Sequence, residues 1–122
     1  MIVSDASPLI ILAKVRKLSL LRALFEKVVI EEEVKREAID RGKEEGAPDA
    51  LIIENAIKEG WIVGREVART MGLKVRGSLY VLKKVVEEGL MSKEEAIKTL
   101  DDMVNNDFRI STRIYANFLD DV

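Results

Sequence analysis

The chain has 122 residues, 48% of them apolar and 34% charged, with a net charge of −2; it is long enough to bury one core and too apolar to be disordered. It has no cysteine and no histidine, which excludes disulfides, thiolate chemistry, serine–histidine triads and ordinary zinc sites. What remains is chemistry by carboxylates, hydroxyls, Lys or Arg with a hard, oxygen-binding metal, and the charge balance is not that of a general nucleic-acid binder.

Glutamine is absent while Glu, Lys and Arg are abundant, a usage that suits a heat-adapted source with surface ion-pair networks. The opening Met1-Ile2-Val3-Ser4-Asp5 has no basic stretch before an apolar run, so it does not read as a signal peptide. The longest apolar stretch, Leu9 to Ala13, is too short to cross a bilayer. The expectation is a soluble, cytoplasmic protein with no membrane partner.

Ile2-Val3 reads as a short buried strand ending at Asp5. Ser7-Pro8 reads as a helix start, a capping hydroxyl followed by the position that suits proline. The helix from Leu9 to about Val15 is nearly all apolar and is expected to be buried, and a second short helix covers Ser19 to Phe25. Lys27 to Ile30 is a strand by its β-branched content. Glu31-Glu32-Glu33 then opens a helix, with acids where the helix dipole favours them, and that helix is expected to stop at Gly42.

Lys43 to Pro48 reads as a loop, and Asp49 to Glu59 as a helix ended by Gly60. Trp61-Ile62-Val63 is a third strand, followed by a helix over Gly64 to Met71, a cap at Gly72 and a fourth strand at Leu73-Lys74-Val75. A helix runs from Gly77-Ser78 to Glu88. Ser92-Lys93-Glu94-Glu95 is a capping box, with Ala96, Ile97, Leu100, Met103 and Val104 as the apolar stripe behind it. The last helix starts at Ser111 and is expected to face Ile114, Tyr115, Phe118 and Leu119 inward. Short strands alternating with helices imply parallel pairing in an α/β architecture. No repeat or linker divides the chain, so residues 1–122 read as one domain.

Ligands of open parallel sheets bind outside the carboxyl ends of the strands, and Asp5 stands at such an end. The positive end of the following helix would hold it ionised, as a ligand for Mg²⁺ or Mn²⁺. Local pattern alone favours a purely structural role, in which Asp5 and Ser7 form a turn that caps the helix. Glu37, three residues after Val34, is a second candidate, lying on or beside its helix's apolar stripe, with a boundary ion pair as the plain alternative. Glu31, Glu32 and Glu33 read as solvated first-turn acids. Asp101-Asp102 fall opposite the Leu100/Val104 stripe and Asp120-Asp121 lie at the chain end; only Asp107 stays as an outside candidate. Arg65, Arg69, Lys74 and Arg76 could meet a phosphate backbone, but interleaved acids favour a solvated face.

The run Ile2-Val3-Ser4-Asp5-Ala6-Ser7-Pro8-Leu9-Ile10, with Leu12-Ala13 following, resembles the opening of PIN-domain proteins, and most closely a PIN-related branch that begins VSDASPLI. The resemblance continues through Val28-Val29-Ile30 (where Glu31 replaces a usual proline), Val34 and Glu37. It resumes at Gly64 to Arg69, Gly72 to Val75, Gly77-Ser78-Leu79, Phe108 to Ser111 and Tyr115. It implies a short parallel sheet flanked by helices and the metal-dependent ribonuclease chemistry of the family, many of whose members are VapC-type toxins. Asp5 would be the first ligand of Mg²⁺ or Mn²⁺, Glu37 the second acid and Ser7 a polar supporter of the site. Between the Trp61 strand and Gly64 the family carries a further stretch: a Gly-Glu-x-Glu-Ala helix and a strand ending in paired aspartates. Here Val63 runs straight into Gly64-Arg65-Glu66, so the domain reads as truncated in the middle and the third and fourth acids of the pattern are missing.

Two carboxylates hold Mg²⁺ loosely. The sequence therefore favours a degenerate PIN-like protein acting through self-association or partner binding. The other reading is a Mg²⁺- or Mn²⁺-dependent ribonuclease whose site is completed across a dimer, with RNA as substrate. Losing a strand and a helix should expose sheet edge and apolar surface, so a homodimer or larger assembly is expected. A DNA-binding module fits least well, because no recognition helix is evident.

Overall fold

The computed structural model describes residues 2–65 and 77–122, except for the side chain of Arg65. The region forms a mixed α/β structure around a short parallel sheet. Strand β1 (Ile2–Val3), helix α1 (Ala6–Lys14), helix α2 (Ser19–Phe25) and strand β2 (Val28–Glu31) come first. A helical path follows through α3 (Glu32–Lys35), a π-helical turn (Arg36–Asp40) and α4 (Arg41–Glu44). Helix α5 (Pro48–Lys58), strand β3 (Ile62–Arg65) and helices α6 (Ser78–Glu87), α7 (Lys93–Asn105) and α8 (Thr112–Asp121) complete the order.

The strands lie in the order β1-β2-β3, all parallel, with Val3 opposite Val29, Val28 opposite Ile62 and Glu31 opposite Arg65. Val28, Val29 and Ile30 are all buried, as expected of a central strand covered on both faces. Helix α1 packs on α5, α6 and α7 through Leu9 and Leu12, both fully buried; removing such a side chain from water is worth about 1.5–3 kcal/mol. Lys43 on α4 donates to Glu54 on α5 at 2.6 Å, and this ammonium holds the Glu54 carboxyl below the usual carboxylate range.

Several sequence expectations need correction. Helix α1 begins at Ala6, with Asp5 at its N-cap, so Ser7 lies inside the first turn and does not cap it. Gly42 does not end its helix; it is buried within α4, where an added Cβ would meet the Ala50 Cβ at 2.7 Å. It is therefore a point of close approach between α4 and α5, and the chain turns at Gly46 instead, where φ is +73°. The stretch expected to be a loop is helical to Glu44 and again from Pro48.

Gly64 and Arg65 extend β3 rather than opening a helix, because β2 continues to Glu31 and offers them ladder partners. The rest of that expected helix, the Gly72 cap, the fourth strand at Leu73 to Val75 and the cluster residues Arg69, Lys74 and Arg76 lie outside the described residues. On α8 only Phe118 is buried, while Ile114 is 46% exposed. On α7, Ala96, Leu100 and Met103 are buried, but Val104 at the end of the stripe is exposed. Ser92 and Ser111 cap α7 and α8 as expected, each accepting a backbone N–H at 3.1 Å.

Candidate functional site

The carboxyl ends of the strands open into a cleft of about 930 Å³. One wall is the β1–α1 junction, with Ser4, Asp5 and Ser7; the other is the end of β2 and the helical path after it. Asp5 sits where the chain leaves β1 in extended conformation (φ −79°, ψ 171°) before α1. Its side chain makes no capping bond to α1, so the capping account of this acid does not hold. Beneath it, Ser4 is buried: its N–H donates to the Val29 carbonyl at 3.0 Å and its hydroxyl to the Asp5 carbonyl at 2.9 Å. These bonds tie the backbone that carries Asp5 to the sheet.

Helical spacing decides which residues of the opposite wall face the cleft. Ala38, Ile39 and Gly42 are buried, which leaves Glu33, Arg36, Glu37, Asp40, Arg41 and Glu44 to line the opening at steps of three and four. The π-helical turn inserts its extra residue within this run, between α3 and α4; such turns recur at functional sites. Glu37 and Arg41 also line a smaller adjoining cavity of about 370 Å³, beside Lys14 and Asp49.

The expected residues Asp5, Ser7 and Glu37 thus line one cleft, and all three are exposed. Glu31 and Glu33, expected to be solvated first-turn acids, line it as well. The strand-end rule that singled out Asp5 applies equally to Glu31, the last residue of β2. Asp40, Glu44, Arg36 and Arg41 were missed; the spacing of Asp40 and Arg41 from Glu37, three and four residues on, carries a signal, and Glu44 joins them once Gly42 is known not to break the helix. Asp101 lies elsewhere and accepts the Tyr115 hydroxyl at 2.6 Å, which raises the Tyr115 pKa above the usual tyrosine value. Asp121 pairs with Lys83 at 3.1 Å. Asp107 does not line the cleft.

The resemblance read from the sequence implies a divalent ion at this cleft. Mg²⁺ draws oxygen ligands to about 2.1 Å in octahedral geometry, so its protein ligands must converge on one point. Among the described residues no three acidic side chains gather closely enough to hold a metal ion. The acids are distributed along the walls of a wide opening instead, with two arginines among them. Among the described residues this donor set does not fit a resident divalent ion. Nor does any described helix have the length and apolarity to cross a membrane.

No curated protein and no solved structure shows significant similarity to the chain. A family model for the PIN domain matches it in two stretches, residues 1–66 and residues 63–122. The stretches overlap at residues 63–66, from β3 onward, and together they span the whole chain. The chain therefore belongs to the PIN domain family, a nuclease-like family.

Proposed function

We infer that residues 1–122 form a single PIN domain that keeps the family's cleft without its catalytic competence, and that the protein acts through self-association or by binding a partner. The observation that carries this reading is the failure of the cleft's carboxylates to converge: among the described residues no three can share a metal ion. The two family matches meeting at 63–66 support the same reading, because that is where the acid-bearing stretch of the family pattern is missing from the sequence. A test is cleavage of single-stranded RNA in Mn²⁺ by the native chain and by Asp5→Asn. Equal background rates are expected; cleavage abolished by Asp5→Asn would overturn the reading.

A second reading is favoured by one observation. Asp5 is exposed and lines the cleft at the carboxyl end of β1, the place where ligands of parallel sheets bind. In that reading the protein is a Mg²⁺- or Mn²⁺-dependent ribonuclease whose site is completed by a carboxylate from a second copy. Both readings expect a homodimer or larger assembly, and light scattering that finds a clean monomer at micromolar concentration would count against both.

A further inference from the structure

The smaller cavity beside the cleft encloses about 370 Å³, within the range of small-molecule sites. Asp49, in the first turn of α5, lines it and is only 6% exposed. Among the described residues its carboxylate has no hydrogen bond and no ion pair; Lys14 and Arg41 line the same cavity, and neither pairs with it. Yet no fully buried side-chain oxygen among those residues lacks a partner. The Asp49 oxygens therefore keep contact with open space, and the cavity that Asp49 lines is that space. A charge so enclosed is ordinarily paired, because leaving it unpaired away from bulk water is costly. The dipole of α5 offsets part of that cost but supplies no partner on the cavity side.

We propose that this cavity binds a small aliphatic amine whose ammonium group donates to Asp49. The lining is net negative, with Asp49, Glu37 and Glu45 against Lys14 and Arg41. An ammonium brings three donors to a carboxylate that can only accept, and Ile10 and Ala38 give its methylenes an apolar wall. A divalent metal suits the cavity less, since among the described residues no three acids gather closely enough to hold one. An anion suits it less too, because Asp49 already occupies the first turn of α5, where the helix dipole would favour a negative charge. The proposal does not depend on whether the larger cleft is catalytic.

The test is a titration of the isotopically labelled full chain with butylamine, read as backbone amide shifts, beside butanol, Mg²⁺ and inorganic phosphate. Butylamine should shift the amides of residues 10, 14, 37–38 and 45–49 saturably. Butanol has nearly the same shape without the charge and should not. Asp49→Asn, nearly isosteric, should weaken butylamine by about tenfold or more, the worth of a hydrogen bond to a charged group. Glu45→Gln, at an exposed position, should weaken it about twofold through the loss of one charge, and this variant decides the matter if Asp49→Asn loses the native amide spectrum. Lys98→Gln, on α7, should leave the titration unchanged. Four results would each overturn the proposal: equal shifts with butanol; a folded Asp49→Asn, or in its place a Glu45→Gln, that binds butylamine as the native chain does; saturation of the same amides by Mg²⁺ or phosphate at lower concentration; and no saturable shift at tens of millimolar butylamine.

Discussion

Replacing Gly42 by alanine separates two views of the helix that carries Glu37 and Arg41. In an open helix interior this change stabilises a protein by about 1 kcal/mol, because alanine has the better helix propensity. Here the new Cβ would stand 2.7 Å from the Ala50 Cβ, whereas ordinary contact begins at 3.4 Å. The atom it meets is joined directly to the α5 backbone, so no flexible side chain can yield and α4 or α5 must retreat by about 0.7 Å. Overpacking of this kind costs about 1–3 kcal/mol, which outweighs the propensity gain and leaves a net loss of about 1 kcal/mol. In the double variant Gly42→Ala/Ala50→Gly the clash disappears and the propensity terms cancel, so stability should return close to native with a coupling of about 2 kcal/mol. Urea unfolding followed by the single Trp61, which is buried, measures all four states, and an unchanged slope confirms that only stability has moved. A Gly42→Ala protein more stable than native would refute the close approach, and with it the account of how this wall of the cleft is anchored.

Phe118 is the one buried residue of α8, so Phe118→Ala should cost about 3–5 kcal/mol; in urea unfolding, a loss under about 1 kcal/mol would show that α8 does not dock through it. Tyr115 donates to Asp101, which favours its neutral form. Spectrophotometric titration should find Tyr115 ionising above the usual tyrosine range, and Asp101→Ala should bring it down; no change in the variant would remove the bond as the cause.

What was legible in the sequence was local or periodic. The β-branched run at Val28 to Ile30 announced a covered strand, Ser92 and Ser111 announced helix starts, and the strand-end position of Asp5 announced the cleft. The misread features depend on neighbours remote in sequence. Gly42 looks like a helix stop until α5 is seen to lie against it. Gly64-Arg65 looks like a helix start until β2 is seen to extend beside it. Ile114 and Tyr115 complete an inward stripe on paper, yet α8 meets the core mainly through Phe118, since a periodic pattern shows which residues share a face but not how much of that face finds a partner. Reading Gly42 as a stop also cut Glu44 off from the wall that Glu37, Asp40 and Arg41 form, and the π-helical turn in that wall left no local signal.

The most direct test of the central claim is a single-turnover assay of single-stranded RNA with the native chain in excess, in Mn²⁺, beside Asp5→Asn and Glu37→Gln. The account predicts one background rate shared by all three proteins, because among the described residues no three carboxylates converge on a metal site. A native rate that falls by two or more orders of magnitude in either variant would contradict it.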